Sequence, residues 1–188
     1  MKKQIRKGTF ETNSSSVHCI SIAKDYPENI YTGYAAEFKC GEFGWEHRAY
    51  WGPEDKMSYL WTAVVNHFLD WVEKPNGGHK LVLKTDDPEY IKIKKAITNT
   101  LVSVGFEDDG YSISFQEEPS DKVYDSFGYI DHCPKKEDFI DQIVFNPNRL
   151  IRFLFNEESC VSTGNDNDES ADNLASCDDP EWEFIKGN

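Results

Sequence analysis

Helix-like and strand-like hydrophobic patterns alternate along most of this chain, and this alternation limits the possible folds more than any other feature. Apolar residues recur every three or four positions after Pro53, a residue suited to the first turn of a helix. The pattern predicts one helix from Pro53 to the turn at Asn76-Gly77-Gly78. The predicted apolar face of this helix contains Leu60, Val64, Phe68, Trp71 and Val72.

Shorter patterns of both kinds lie on either side of that helix. Further helices are predicted at about 88–104, 136–144 and 147–154. Alternating, β-branched stretches predict strands at 17–23, 37–40, 79–84 and 111–116. Because helices and strands interleave, we expect an α+β or α/β fold: a single compact domain with a mixed sheet and about three to four helices.

The acidic residues are concentrated at the C-terminal end. The chain has 188 residues, 20 basic and 34 acidic, and a formal net charge of -14. Residues 157–188 alone contain 10 acidic residues and 1 basic residue, and the composition becomes rich in Asp, Asn, Ser and Glu from Asp166 onward. We therefore predict a globular domain at 1–167 and an acidic, flexible tail at 168–188. This charge also argues against nucleic acid as a partner, since it would repel the phosphates.

Other features of the composition bear on location and on metal binding. No apolar stretch approaches the roughly 18 residues that a membrane span needs. The basic start at residues 2–7 is not followed by an apolar region, so we expect a cytoplasmic protein without a membrane partner. Five cysteines occur without any Cys-x-x-Cys pair, which argues against a structural zinc site.

The densest group of polar side chains comes just before the first predicted strand. Asn13, Ser14, Ser15 and Ser16 offer hydroxyl and amide groups that could hold a phosphate or a carboxylate, and His18 could transfer a proton. Ser16 and His18 share one face of the strand because side chains alternate. Two interpretations stay open: a ligand-binding turn, or a serine-rich turn that bonds its own backbone beside a histidine of the core.

A second polar segment runs from Gly41 to His47 and contains a second glycine, Gly44. Glu42 and Glu46 could bind a metal ion or act as a base, and Trp45 could stack on a flat ligand. The alternative is an aromatic loop that packs onto the core.

Two further segments offer groups that suit acid–base or metal chemistry. Asp131 and His132 form a pair that could orient a base or ligate a metal, so we take both as catalytic candidates together with His18. Asn165 and Asp166 present oxygen atoms of the kind that hard cations prefer. The EF-hand pattern is not met, because the glycine precedes the acidic residues. A divalent metal, with Glu46 and Asp166 as its ligands, is therefore a hypothesis.

The chain resembles a family of small bacteriophage and prophage proteins. The likeness begins with an N-terminal Phe-Glu-Thr-Asn-Ser-Ser-Ser-x-His motif, here residues 10–18. It continues in short segments spread over roughly residues 5–167, namely Gly41-Glu42-Phe43-Gly44-Trp45, Asp55-Lys56, Tyr59-Leu60, Ile130-Asp131-His132, Phe153-Leu154-Phe155-Asn156 and Thr163-Gly164-Asn165-Asp166-Asn167. The resemblance implies a phage or prophage origin and the cytoplasm of a bacterial host, but no mechanism.

Two functions from different classes fit these features. In the first, the polar segments form a pocket for a phosphorylated or nucleotide-like small molecule and catalyse hydrolysis or transfer. In the second, a non-catalytic acidic protein inhibits a host defence factor, with Trp45, Tyr50 and Trp51 as contact residues. Convergence of the polar segments in space favours the first function, and scattering favours the second.

Overall fold

Helices and short strands alternate in the computed structural model, which describes residues 16–44, 48–119, 126–165 and 182–187. The fold is α+β. The helices are α1 (Pro53–Phe68), α2 (Pro88–Ser103), α3 (Ile140–Val144) and α4 (Pro147–Phe155). The strands are β1 (Ser16–Ala23), β2 (Ala36–Phe38), β3 (Glu42–Phe43), β4 (Arg48–Tyr50), β5 (Leu69–Glu73), β6 (His79–Leu83), β7 (Ile113–Phe115), β8 (Tyr129–Ile130), β9 (Cys160–Asn165) and β10 (Trp182–Gly187). Among the described helices, none combines the length and the apolar character that crossing a bilayer requires.

A four-stranded sheet in the order β10-β1-β9-β4 is the largest sheet among the described residues. Strand β1 lies inside this sheet and pairs antiparallel with both neighbours, so that His18 lies opposite Thr163 on β9 and Gly187 on β10. Residues 182–187, which belong to the predicted tail, form β10 at one edge of this sheet.

Helix α1 begins as its sequence predicts and ends earlier. Pro53 occupies the first turn, and the chain leaves the helix after Phe68 to form a hairpin of β5 and β6. The prediction that Trp71 and Val72 lie on the buried helix face is wrong, because both are on β5 and exposed. The physical reason is the turn at Gly77 and Gly78, whose positive φ angles fold β6 back onto residues 69–73.

Helices α2 and α4 begin at residues whose side chains cap them. The Asp87 carboxylate accepts hydrogen bonds from the backbone N–H groups of Glu89 and Tyr90 at the start of α2. The Asn146 side chain accepts one from Arg149 at the start of α4. Gly105, with a φ of 107°, follows α2 as the predicted stop.

Helix α1 lies at the centre of the hydrophobic core. Its fully buried Tyr59 makes edge-to-face contacts with Phe43 and Phe139, at 5.1 and 5.5 Å between ring centroids. Strand β3 pairs in parallel with β8, which brings Phe43 beside Ile130. The pairing of β3 with β8 and a hydrogen bond from His18 to the Asp131 carbonyl place the turn after β8 next to β1.

Candidate functional site

His18 on β1 is fully buried and makes a hydrogen bond through each ring nitrogen. Its Nε2–H donates to the backbone oxygen of Asp131 at 2.5 Å, and the Tyr59 hydroxyl donates to its Nδ1 at 3.2 Å. The direction of both bonds follows from chemistry, because a carbonyl oxygen can only accept. Burial lowers the pKa of His18, although the hydrogen bond to Asp131 and the charge of that carboxylate oppose the shift. The imidazole is therefore neutral near pH 7.

The turn formed by Asp131 and His132 is held from two sides. The Asp131 N–H donates to the backbone oxygen of Phe43 at 2.8 Å, while its carbonyl accepts the bond from His18. Gly44 lies against this turn so closely that a Cβ atom there would come within 2.6 Å of the Asp131 Cβ. These contacts fix the position of the turn relative to β1 and β3.

The side chains of this turn remain accessible. His132 has a φ of 51°, in the left-handed region that few residues other than glycine adopt. Its side chain is 45% exposed and that of Asp131 is 26% exposed, with 3.9 Å between His132 Nε2 and Asp131 Oδ1. The turn thus presents an imidazole beside a carboxylate, an arrangement that can donate or accept a proton.

The described parts of the predicted polar segments include backbone-paired strands. Ser16 lies opposite Asn165 in the pairing of β1 with β9, and Glu42 lies opposite Tyr129 in the pairing of β3 with β8. These pairings join β1 to β9 and β3 to β8. The hydrogen bond between His18 and Asp131 then joins β1 to the turn that follows β8. Glu42 is exposed.

Several predicted site residues cannot be placed. Asn13, Ser14, Ser15, Trp45, Glu46 and Asp166 lie outside the described residues. Ser16 and Asn165 are described by their backbone pairing alone. Within residues 16–44, 48–119, 126–165 and 182–187, no three His, Cys, Asp or Glu side chains form a group that could hold a metal ion. The metal site with Glu46 and Asp166 stays a prediction.

The residues proposed for a protein–protein contact are divided between core and surface. Tyr50 is buried, with its ring 5.1 Å from that of Phe43 and the Arg48 guanidinium 5.0 Å from its centroid. It therefore belongs to the core. Trp51 is exposed, and Trp45 lies outside the described residues.

Cys133, the residue after His132, is not poised as a nucleophile. Burial raises the pKa of its thiol to about 11, against a hydrogen bond with Asn66 that lowers it. The thiol is therefore protonated at neutral pH, whereas the thiolate is the reactive form.

The sequence pattern did not predict the polar contacts of two buried residues of α1, of which Tyr59 alone contacts His18. Tyr59 bonds His18, and the fully buried Lys56 donates from Nζ to the backbone oxygens of Asn156 and Ser159 at 2.8 and 2.9 Å. Burial lowers the pKa of Lys56 to about 8. A signal was present in the sequence, since Lys56 falls one helical turn before Leu60 on the apolar face.

Two surface clefts in the described part of the chain lie elsewhere. One of about 350 Å³ is lined by residues 25–29 and 155–158. Another of about 420 Å³ is lined by residues 67–68, 89 and 135–137. Neither is lined by His18, Asp131 or His132.

Comparison with known proteins adds no relative. No protein-family model, curated protein or solved structure matches the chain.

Proposed function

We propose that this chain is a phage- or prophage-type accessory protein that binds a phosphorylated or nucleotide-like small molecule at the turn formed by Asp131 and His132. The hydrogen bond from His18 to the Asp131 carbonyl carries the proposal. It joins residues 113 positions apart and supports the proposal by linking His18 to the turn at Asp131 and His132. The proposed location is the cytoplasm of a bacterial host.

His132 is the acid or base in this proposal. Its imidazole is 45% exposed, and imidazole is the side chain most often used as a general acid or base. The Asp131 carboxylate lies beside the ring, with 3.9 Å between its Oδ1 and His132 Nε2. Such a pair suits hydrolysis or transfer at a phosphoester or glycosidic bond.

His18 has a positioning role here instead of the catalytic role expected from the sequence. Its ring has no exposed surface, and both nitrogens are hydrogen-bonded. What it does is fix the carbonyl that precedes the left-handed residue His132. A turn held in this way keeps the imidazole and the carboxylate in place before a ligand arrives.

Thermal unfolding with a panel of small molecules tests the proposal. Inorganic phosphate, nucleoside monophosphates and sugar phosphates are each added to the protein, and the unfolding midpoint is measured. A ligand that binds only the folded state raises the midpoint. We expect at least one of these compounds to raise it in wild type and to have no effect on His132→Ala or Asp131→Asn.

His79→Ala is the matched control, since it removes an exposed histidine on β6 far along the chain from the turn. This variant should respond to the compound as wild type does. If no compound shifts the wild-type midpoint, or if His132→Ala keeps the shift, the proposal fails. The first of these results would favour the alternative of a non-catalytic inhibitor of a host factor.

A further inference from the structure

The β5–β6 hairpin exposes apolar side chains on both of its faces. Trp71 is 66% exposed and Val72 is 41% exposed, and neighbouring residues of a strand point to opposite faces. On β6, Leu81 lies opposite Trp71, while Val82 shares the face of Val72. Both β6 residues are half-buried. Apolar surface is therefore exposed on each face of the hairpin.

The outer edge of β6 offers backbone groups with which a further strand could pair. Lys74 N–H donates to Gly78 O and Lys84 N–H donates to Phe68 O. These two bonds show which residue pairs between β5 and β6 are hydrogen-bonded, because hydrogen-bonded and non-hydrogen-bonded pairs alternate along an antiparallel ladder. Alternation then turns the N–H and C=O groups of His79 and Leu81 away from β5. Among the described residues no strand lies on that outer edge.

The outer edge of β5 is less available than that of β6. The Trp71 N–H, which the same alternation points outward, donates to the Asp70 carboxylate at 3.0 Å. Asp70 also forms an ion pair with Lys84 at 2.8 Å. A side chain therefore occupies part of this edge, as edge strands often arrange to prevent pairing.

The second strand of the hairpin differs in charge from the chain as a whole. Residues 69–84 contain three lysines and two acidic residues, Asp70 and Glu73, but β6 itself contains His79 and Lys80 and no acidic residue, in a chain of net charge -14. Lys80 on the edge strand is exposed and has no ion-pair partner among the described residues. An added strand with acidic side chains on the face of Lys80 would complement this charge.

We propose that the outer edge of β6 binds an extended segment of a partner protein in which apolar and acidic residues alternate. The apolar residues would lie beside Leu81, on the same face as Trp71, and the acidic residues beside Lys80. Backbone hydrogen bonds would supply affinity, and the alternating side chains would supply specificity.

A second copy of this chain fits the edge less well. Two β6 strands paired antiparallel about Leu81 would make the two Lys80 side chains diagonal neighbours on one face, where like charges repel. Each hairpin would also place its own positively charged β6 strand beside that of the other copy. A partner with acidic side chains meets neither obstacle.

Fluorescence anisotropy of labelled synthetic peptides tests the proposal. One short peptide with blocked ends alternates valine and glutamate, and a second has lysine in place of glutamate. We expect wild type to bind the glutamate peptide, and Lys80→Glu to bind it about tenfold more weakly while gaining affinity for the lysine peptide. Lys95→Glu is the matched control, because it makes the same charge change on the exposed side of α2 and should bind as wild type does.

Three results would overturn the proposal. One is that neither peptide binds wild type. Another is that Lys95→Glu weakens binding as much as Lys80→Glu, which would show attraction to net charge without a defined edge. The third is a dimer of the protein without peptide that Leu81→Asp dissociates, which would make a second copy the occupant.

Discussion

His18 shows how one side chain can link two distant parts of a chain. A neutral imidazole has one donor and one acceptor, and both are used here, by the Asp131 carbonyl and the Tyr59 hydroxyl. Charging the ring would require a buried cation and would turn the acceptor nitrogen into a donor facing a hydroxyl. Burial therefore favours the neutral form that the two bonds require.

Replacing His18 with alanine should destabilise the protein by about 1–3 kcal/mol, because the buried carbonyl and hydroxyl lose their partner. Chemical denaturation of wild type and His18→Ala at pH 7 measures this difference. Tyr59→Phe is the control that removes one bond and should cost about 0.5–1.5 kcal/mol. An unchanged free energy of unfolding in His18→Ala would contradict the buried, doubly bonded position.

The same comparison across pH should show the neutral state of His18. Its folded pKa lies below the ordinary value of 6.5, so below that pH the unfolded chain binds a proton more readily than the folded one. The stability contributed by this group is present above pH 6.5 and is lost as the pH falls toward the folded pKa. The gap in free energy between wild type and His18→Ala should therefore narrow on acidification, and a gap that widens would contradict this account.

At the scale of elements, local signals identified where helices begin more reliably than where α1 ends. Pro53 marked the start of α1, and Asp87 and Asn146 could cap the helices that follow them. The spacing of apolar residues continued past Phe68 by coincidence, so Trp71 was placed on a helix. What decides the end of α1 is the pairing of β5 with β6, which the apolar spacing within α1 does not report.

The candidate site shows the same division between local and distant signals. Polar runs in the sequence indicated which segments to consider, including Asp131-His132. The bond between His18 and Asp131 joins residues 113 positions apart, and no periodicity reports a contact of that kind. Tyr59 was missed for a related reason: an aromatic residue on an apolar helix face is indistinguishable from core until its hydroxyl finds a partner.

Strand β10 leads to a prediction about the C-terminal end. Its backbone pairs with β1 from His18 to Ala23, along the strand that contains the buried Ile20 and Ile22. Deleting residues 182–188 should cost about 2–4 kcal/mol, because several backbone hydrogen bonds worth about 0.5–1.5 kcal/mol each are lost. Denaturant titration measures the loss, and deletion of Asn188 alone is the control. Equal stability of the two truncated proteins would instead support a dispensable tail.

In the molecule as a whole, the two proposed surfaces are built differently. The turn at Asp131 and His132 is fixed by buried contacts through β1, β3 and α1, and suits a small ligand that needs positioned groups. The hairpin of β5 and β6 has residues 70–80 exposed and suits a partner that adds its own backbone. Ligand binding at the turn should therefore be independent of Lys80→Glu, which separates tests of the two proposals.

The most direct test of the central claim is a nuclear magnetic resonance titration of the protein with its histidine rings labelled. The sequence has 5 histidines, so substitution of each in turn assigns the signals. On addition of the phosphorylated compound that raises the unfolding midpoint, we predict that the His132 signal shifts and that His18 keeps its Nε2–H form. A shift confined to His67 or His79, or no shift at any histidine, would contradict a ligand site at the turn that His18 holds.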